Sequence, residues 1–374
     1  MAVAPQLQTE DPADFQKWFV LSSYQQFVKD EGAPLFEGSA IEDLRSLKLA
    51  EWRRRGGKVG YTRLGDNEDL GLQIVEIPPN GELAPEHHMY DAVMYVLKGR
   101  GATMIWQEGE PKRTIEWQEG SVLAIPLNAW HQEFNGSGSE ECRFVFGTNM
   151  PHLMNLFNNP HFIFNNPYQF KDRYSYDVED YMDRRKHWTL RILETNFIRD
   201  ARAVELDPYP ERGNRTAIMR LSMAGTSFGM HIMSVSEGTY VTAHRHGPGA
   251  HVMVIGGEGF ELLYMLGNEN DPAKRQRVPA SPYAVVAPKH NEYHQHFNTG
   301  KGEYRMLAWR GTGLRYGWGR SYDPNATAQS TDRSAWTYKI PYEEEDRTIR
   351  DGYYKELGSK GITVRLEPLD QGGA

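Results

Sequence analysis

Alternating apolar and polar residues predict β-strands through most of the chain. Between about residue 61 and residue 322, short segments rich in Val, Ile, Tyr and Trp are broken at short intervals by Gly, Pro and Asn. Successive side chains of a strand point to opposite faces, so this two-residue period is typical of strands with one buried face. The pattern predicts an all-β fold.

Helical periodicity is confined to the two ends of the chain. Residues 11–31 carry four aromatic side chains at roughly helical spacing and are followed by Gly32, and residues 40–54 precede a pair of glycines. Residues 340–357 also show a helical pattern. Glycine is common where helices end, so the sequence predicts helices over these three ranges.

Two sequence motifs occur twice, in the same order. The segment at 86–106 parallels the one at 244–264, and the segment at 129–135 parallels the one at 292–298. The histidines of the two motifs are separated by 43 residues in the first copy and by 48 in the second. A repeat of this kind predicts two copies of one β-domain.

The repeat divides the chain into five predicted parts. They are a helical N-terminal extension (1–60), a first β-domain (61–150), a connecting segment (151–215), a second β-domain (216–322) and a C-terminal tail (323–374). The connecting segment is rich in Asn, Phe and Tyr, which is too aromatic for a disordered linker. We expect it to pack across the outside of one barrel or at a subunit interface.

Two pairs of histidines in the second copy predict a metal site. His244 and His246 form one pair and His294 and His296 the other, each with i, i+2 spacing. On a strand such residues share a face, so two facing strands would place up to four imidazoles around one point. That arrangement suits iron(II), manganese, nickel, copper or zinc.

The corresponding residues of the first copy leave two interpretations open. Alignment of the copies places Glu86, His88, His131 and Glu133 opposite the four histidines. Glu86, His88 and His131 could form a second metal site of two histidines and one carboxylate. The alternative is an internal, hydrogen-bonded polar cluster that holds no metal. His87 is expected to point outward.

The two copies resemble the two sequence motifs of the cupin superfamily. The matching residues are Gly238, His244, His246, Gly257, Pro288, His294 and Asn298 in the second copy, and Gly120, Pro126, His131 and Asn135 in the first. The matches cover roughly residues 75–150 and 230–315. Ala92 and Ala250 stand where the usual cupin has a glutamate ligand. The resemblance implies a bicupin, with two double-stranded β-helix (jelly-roll) barrels and helical additions at both ends.

Without that glutamate, the second copy resembles the three-histidine variant found in bicupins similar to gentisate 1,2-dioxygenase. This resemblance implies a divalent transition metal held by His244, His246 and His294. Fe(II) is the first expectation, and Mn, Ni and Zn are alternatives. His296 would then lie beside the metal as a catalytic acid or base.

The resemblance implies a metal-dependent oxidoreductase. The leading expectation is an Fe(II) dioxygenase that uses O₂ to cleave or oxidise a small aromatic or enolisable carboxylate or ketone. Arg310, and Arg315 after it, would pair with a substrate carboxylate, and the alternative for each is a surface salt bridge. Two other functions stay open: a redox-neutral isomerase, lyase or hydrolase, and a non-enzymatic bicupin that binds a small molecule.

Composition limits the classes of binding partner and the cellular compartment that we expect for this protein. The formal net charge of −8 argues against nucleic acid and anionic membranes as partners. Cys142 is the single cysteine, so no intrachain disulfide forms, which fits a reducing compartment. No signal peptide and no run of 18 apolar residues is recognisable. We therefore expect a cytoplasmic protein, and we also expect a homo-oligomer that binds a small, anionic substrate.

Overall fold

Each of the two repeated segments folds into a β-barrel. The computed structural model describes residues 20–66, 68–176, 181, 185–189, 191–213, 215–245, 250–290, 292–311, 313–314 and 338–366. Strands predominate in these residues, and the few helices lie before, between and after the barrels. The prediction of an all-β fold with two barrels is confirmed.

The elements of the N-terminal part and first barrel run in chain order from Ser23 to Thr148. They are helix α1 (Ser23–Asp30) and strands β1 (Leu35–Gly38), β2 (Ala40–Ile41), β3 (Ala50–Glu51), β4 (Lys58–Leu64), β5 (Gly71–Ile77), β6 (Ala92–Lys98), β7 (Arg100–Trp106), β8 (Arg113–Gln118), β9 (Val122–Ile125), β10 (Trp130–Asn135) and β11 (Cys142–Thr148).

The connecting segment and the second barrel follow. Their elements are helices α2 (Met150–Phe157) and α3 (Pro160–Phe164), strands β12 (Arg185–Trp188), β13 (Ile192–Thr195), β14 (Phe197–Ile198), β15 (Asp207–Pro208), β16 (Thr216–Ser222), β17 (Gly229–Val235), β18 (His244–Arg245), β19 (Ala250–Gly256), β20 (Gly259–Met265), β21 (Gln276–Ala280), β22 (Val285–Val286), β23 (Glu292–Asn298), β24 (Tyr304–Arg310) and β25 (Tyr338–Lys339), and helix α4 (Arg347–Ser359).

Equivalent strands pair in the same order in the two barrels. The first barrel has a large sheet in the order β1-β4-β5-β11-β6-β9-β14, with β3 on β4, and a small sheet β10-β7-β8. The second has a large sheet β12-β13-β16-β17-β24-β19-β22-β2, with β15 on β16, and a small sheet β21-β20-β23-β18-β25. The barrels exchange strands, because β2 joins the second barrel and β14 joins the first.

The central strands of the large sheets are buried on both faces. On β6, Met94 faces the core of the first barrel and Tyr95 faces a core shared with the second barrel. On β19, Val252 faces the core of the second barrel and Met253 faces the shared core. Alternate residues of a strand face opposite sides. A polar residue on the same face as Met94 or Val252 therefore points into the interior of its barrel.

The predicted N-terminal helix is confirmed over its described part. Helix α1 begins at Ser23 behind a capping box, in which Ser22 and Gln25 each bond to the backbone of the other. Tyr24 and Phe27 of the predicted aromatic face are buried. Residues 1–19 lie outside the described part of the chain.

The helix predicted for residues 40–54 is wrong. The segment instead forms β2, a turn and β3, and it pairs with strands of both barrels. Its apolar residues Ile41 and Leu44 are buried in the shared core, and Leu47 packs against it. These residues have helical spacing, but strand pairing and burial between the barrels outweigh the local helix preference.

The tail packs against the second barrel, and the helices of the connecting segment pack against the first. Helix α4 begins at Arg347, seven residues after the start of the predicted range, and Tyr353 packs against the small sheet of the second barrel. Met150, Met154 and Ile163 of α2 and α3 are buried against the core of the first barrel, as one of our two predictions for this segment states. No helix among the described residues is long and apolar enough to span a membrane.

His251 lies in the interior on β19, directly opposite Trp309 of β24. Its side chain is fully buried, and within the described residues neither ring nitrogen has a hydrogen-bond partner. Burial lowers the pKa of His251 from 6.5 to about 4. From its sequence position next to Ala250, where the usual cupin has a glutamate ligand, we expect His251 to have a packing or surface role rather than to bind metal, and the structure shows the packing role.

We predict that replacing His251 with leucine will reduce the loss of stability in acid. Between pH 6.5 and 4 the unfolded chain protonates this histidine and the folded chain does not, so stability falls as the pH falls. The loss from pH 7 to pH 5 should be smaller by about 2 kcal/mol in His251→Leu. Urea unfolding at both pH values measures it, with His290→Ala at an exposed histidine as control. An unchanged loss would contradict the prediction.

Candidate metal centre

Three histidines converge inside the second barrel. His244 on β18 stands directly opposite His294 on β23, and His296 follows two residues later on the same face. The ring centroids are 4.1 Å apart for His244 and His294, 5.7 Å for His244 and His296, and 5.6 Å for His294 and His296. One nitrogen of each ring lies within 4.8 Å of the others, and all three side chains are buried. This spacing fits a single divalent ion.

Hydrogen bonds at Nδ1 orient the three rings. His244 Nδ1 lies 3.0 Å from the carbonyl oxygen of Thr242, and His294 Nδ1 lies 3.5 Å from that of Glu292. His296 Nδ1 bonds to the carboxylate of Glu261. An acceptor at Nδ1 favours the tautomer whose Nε2 is unprotonated, which is the form that binds a metal. The residues therefore fit a nitrogen-ligated ion.

Glu261 is a buried carboxylate that the sequence analysis missed. It lies opposite His296 on the neighbouring strand β20. One carboxylate oxygen accepts the bond from His296 and the other accepts a bond of 2.9 Å from the hydroxyl of Tyr304. The only sequence signal is an acidic residue at an inward position of an otherwise apolar strand.

We predict that replacing Glu261 with glutamine will weaken metal binding by about 10- to 100-fold, because the carboxylate holds His296 and makes it more basic. Tyr304→Phe is the matched control, since it removes the bond to the other oxygen and leaves the carboxylate in place. Titration against a chelator of known affinity measures the change. Equal affinity in Glu261→Gln and the wild type would contradict the role of Glu261.

Three arginines and a fourth histidine line the same cavity. The residues that surround His244, His294 and His296 are Arg212, Arg220 of β16, His231 of β17 and Arg310 of β24. Burial lowers the pKa of His231 well below its ordinary value, and Arg310 and Arg220 lower it further, so the ring is neutral. The structure thus brings Arg310 to the predicted site. The sequence analysis missed the other three residues. Arg220 and His231 are signalled only by their inward positions on strands, and Arg212 lies in a short 3-10 helix (Pro210–Arg212).

Two predicted site residues cannot be placed. His246 and Arg315 lie outside the described residues. The assignment of His246 as a ligand therefore stays a prediction. His296, predicted to act beside the metal, stands within ligand distance of His244 and His294. It is a candidate ligand as well as a candidate acid or base.

The first barrel brings Glu86, His88 and His131 together in the equivalent place. One ligand atom of each lies within 4.8 Å of the others, and all three residues are buried. His88 Nδ1 lies 2.8 Å from the carbonyl oxygen of Tyr90, and His131 Nδ1 lies 2.6 Å from the carboxylate of Glu133. The cluster predicted from the sequence therefore forms.

Two arginines contact the carboxylates of this cluster. Arg55 donates bonds of 2.8 Å to Glu86 and 2.8 Å to Glu133, and Arg54 donates to the other oxygen of Glu86. Burial alone would raise the pKa of Glu86, but Arg54 and Arg55 outweigh it and hold this pKa well below its usual range. Burial lowers the pKa of His88 to about 3. The carboxylates are thus ionised and balanced by guanidinium groups, and His88 is neutral.

His87 lies outside this cluster. Its side chain is partly exposed, and its Nδ1 lies 2.9 Å from the side-chain oxygen of Asn128. Its ring packs against Trp130, with the ring centroids 4.3 Å apart. This placement agrees with the outward orientation that the sequence predicts.

Comparison with known proteins supports the fold. The family model described as Cupin matches residues 66–171. No curated protein matches the sequence. Similar solved structures are an oxalate decarboxylase from Bacillus subtilis (13% identity, TM-score 0.48, covering 73% of this chain and 76% of that one), a vicilin from Solanum lycopersicum (14%, 0.45, 73% and 85%) and a salicylate 1,2-dioxygenase from Pseudaminobacter salicylatoxidans (9%, 0.45, 65% and 71%).

The first barrel is a cupin domain, and the second repeats its strand order. The chain therefore has two barrels of one topology, of which the first matches the cupin model, in agreement with the two β-domains that its motifs predict. The similar structures include enzymes and a vicilin, and at identities this low none of their activities transfers to this chain.

Proposed function

We propose that this bicupin is a metal-dependent enzyme with its active centre in the second barrel. The observation that carries the proposal is the convergence of His244, His294 and His296, which bring one ring nitrogen each within 4.8 Å of the others in a cavity that Arg310 also lines. We include His246 among the ligands on the strength of its sequence spacing. We take the bound ion to be Fe(II), and Mn, Ni or Zn would suit the same nitrogen ligands.

We propose that the reaction is oxidation of a small carboxylate by O₂. The neutral imidazoles of His244, His294 and His296 would hold Fe(II) without cancelling its charge, and the ion would supply open positions for an anionic substrate and O₂. Arg310 would hold a substrate carboxylate, because a guanidinium matches a carboxylate with two parallel hydrogen bonds. His231, half-buried and neutral, would accept a proton from a substrate hydroxyl.

The walls of the cavity would exclude water from this chemistry. Ile218, Met233 and Val252 line it, and each is almost fully buried. The cavity is small, with a volume of about 40 Å³. Its size favours a small substrate.

For the first barrel we propose a structural role. Arg55 contacts both Glu86 and Glu133, and Arg54 contacts Glu86. These guanidinium groups supply the positive charge that a metal ion would otherwise bring to the carboxylates. Of the two interpretations that the sequence leaves open, this contact pattern supports the polar cluster. A homo-oligomer and a cytoplasmic location remain predictions from the sequence.

Oxygen uptake tests the proposed reaction. Protein purified without oxygen and loaded with Fe(II) should consume O₂ with at least one member of a panel of aromatic and enolisable carboxylates. The His294→Ala variant should show no uptake. Turnover without O₂ in protein loaded with Zn or Mn would show a redox-neutral enzyme instead. Ligand binding without any turnover would contradict the enzymatic proposal.

A further inference from the structure

The first barrel carries an open groove beside its small sheet. The groove has a volume of about 480 Å³, which falls in the range of small-molecule sites. Its lining includes residues of β7, β8 and β10 together with Phe197 of β14, which is the last strand of the large sheet. Glu86, His88 and His131 do not line it, so the groove is separate from the polar cluster in the barrel interior.

Ala102 and Phe134 lie side by side in this groove, on neighbouring strands. Ala102 of β7 pairs directly with Phe134 of β10. Phe260 and Phe297 are the corresponding pair on β20 and β23 of the second barrel. There the two rings stack, with their centroids 4.4 Å apart and their planes inclined by 5°. In the first barrel Ala102 has no ring to stack on Phe134, and both residues line the groove.

The second barrel also shows which charge suits a ring at this position. The guanidinium carbon of Arg277 lies 3.6 Å from the centroid of the Phe260 ring. A cation over the face of an aromatic ring makes a favourable contact. The position equivalent to Ala102 therefore accepts an aromatic ring with a guanidinium group close to it.

Two arginines supply positive charge to the groove of the first barrel. Arg100 at the start of β7 and Arg199 directly after β14 both line it. Within the described residues, neither guanidinium group has a hydrogen-bond or ion-pair partner. Asp200, the acid next to Arg199, is bonded to Arg202. Glu116 also lines the groove, but it is a single carboxylate beside two guanidinium groups, so positive charge is in excess there.

We infer that this groove binds a small aromatic carboxylate, whose ring stacks on Phe134 and whose carboxylate pairs with Arg100 and Arg199. The ring would take the position that Phe260 holds in the second barrel. Stacked rings gain stabilisation beyond the area that they bury, and a guanidinium group matches a carboxylate with two parallel hydrogen bonds. The inference goes beyond the proposed function and does not depend on the metal centre, because none of its candidate ligands lines the groove.

Isothermal titration with 2-naphthoate tests the inference. Metal-free protein should bind 2-naphthoate at least about tenfold more tightly than 2-naphthylmethanol, which lacks the charge, since a lost hydrogen bond between charged groups costs about that much. Acetate, which lacks the ring, should also bind at least about tenfold more weakly. Loading with zinc should leave the affinity for 2-naphthoate unchanged. Equal affinities for the acid and the alcohol, or binding of the acid only after zinc loading, would overturn the inference.

Variants of the groove test where the ligand binds. The double variant Arg100→Gln/Arg199→Gln should weaken 2-naphthoate binding about tenfold or more. Ala102→Phe should abolish binding and leave the protein folded, as judged by circular dichroism, because the new ring would stack on Phe134 and take the place of the ligand. Wild-type affinity in the double arginine variant, or in folded Ala102→Phe, would contradict the assignment.

Two further changes control for charge. Arg347→Gln/Lys355→Gln removes two positive charges from exposed positions of α4 and should bind 2-naphthoate as the wild type does. Glu116→Gln removes the one carboxylate of the groove lining and should bind 2-naphthoate more tightly, because the repulsion between like charges is lost. Equal weakening by the α4 and groove arginine variants would show that net charge alone attracts the ligand, and the inference would then fail.

Discussion

Replacing Arg55 with alanine is expected to destabilise the protein by about 3–5 kcal/mol, the cost of removing one partner from a buried ion pair. The Arg55 side chain is 1% exposed and its partner Glu133 is 0% exposed. The substitution would leave the carboxylate of Glu133 without its guanidinium partner in the barrel interior. Unfolding in urea, followed by circular dichroism, measures the free energy of unfolding.

Two further variants make the Arg55 result specific. Arg53→Ala, at an exposed arginine two positions earlier, should change the stability by less than about 0.5 kcal/mol. Glu133→Gln in the Arg55→Ala background should recover part of the lost stability, because it removes the uncompensated charge. If Arg55→Ala unfolds with nearly wild-type free energy, the ion-pair role of the first barrel is wrong.

Replacing His294 with alanine should remove the bound metal and leave a folded protein. His294 lies within ligand distance of the other two described histidines of the site, and its side chain is almost fully buried. Loss of a direct ligand should weaken binding by more than the 10- to 100-fold that loss of a supporting residue costs. Elemental analysis after loading with Fe(II) without oxygen should show one equivalent lost per chain.

Two further variants show which of the two barrels holds the metal. His290→Ala, at an exposed histidine four positions earlier, should retain the metal. Glu86→Gln should leave the total metal content unchanged if the first barrel holds an ion-pair cluster. A full equivalent of metal in His294→Ala would refute the ligand assignment. A loss of one equivalent in Glu86→Gln would show a second metal site.

The sequence predicted the parts of the site that depend on strand spacing. The i, i+2 spacing of His294 and His296 is local, and on β23 both side chains face the barrel interior. The repeat of both motifs likewise predicted two barrels, because each copy carries its own turns and strands. Local patterns of this kind predict the structure because the two-residue period of a strand determines which face each residue occupies.

Other parts of the site depend on contacts between distant segments. Arg55 directly follows the segment that we predicted to be helical, and its contacts with Glu86 and Glu133 span 31 and 78 positions of the chain. Arg220 and His231 belong to neither histidine motif, and only the pairing of β16 with β17 brings them together. Contacts between distant segments determine which of these residues reach the site, so the local sequence pattern does not predict them.

Anomalous X-ray diffraction from crystals of metal-loaded protein tests the central claim most directly. Data collected at the absorption edge of the metal should show one strong peak per chain, within bonding distance of the Nε2 atoms of His244, His294 and His296. The first barrel should show no peak among Glu86, His88 and His131. A peak in the first barrel with none in the second would contradict the account.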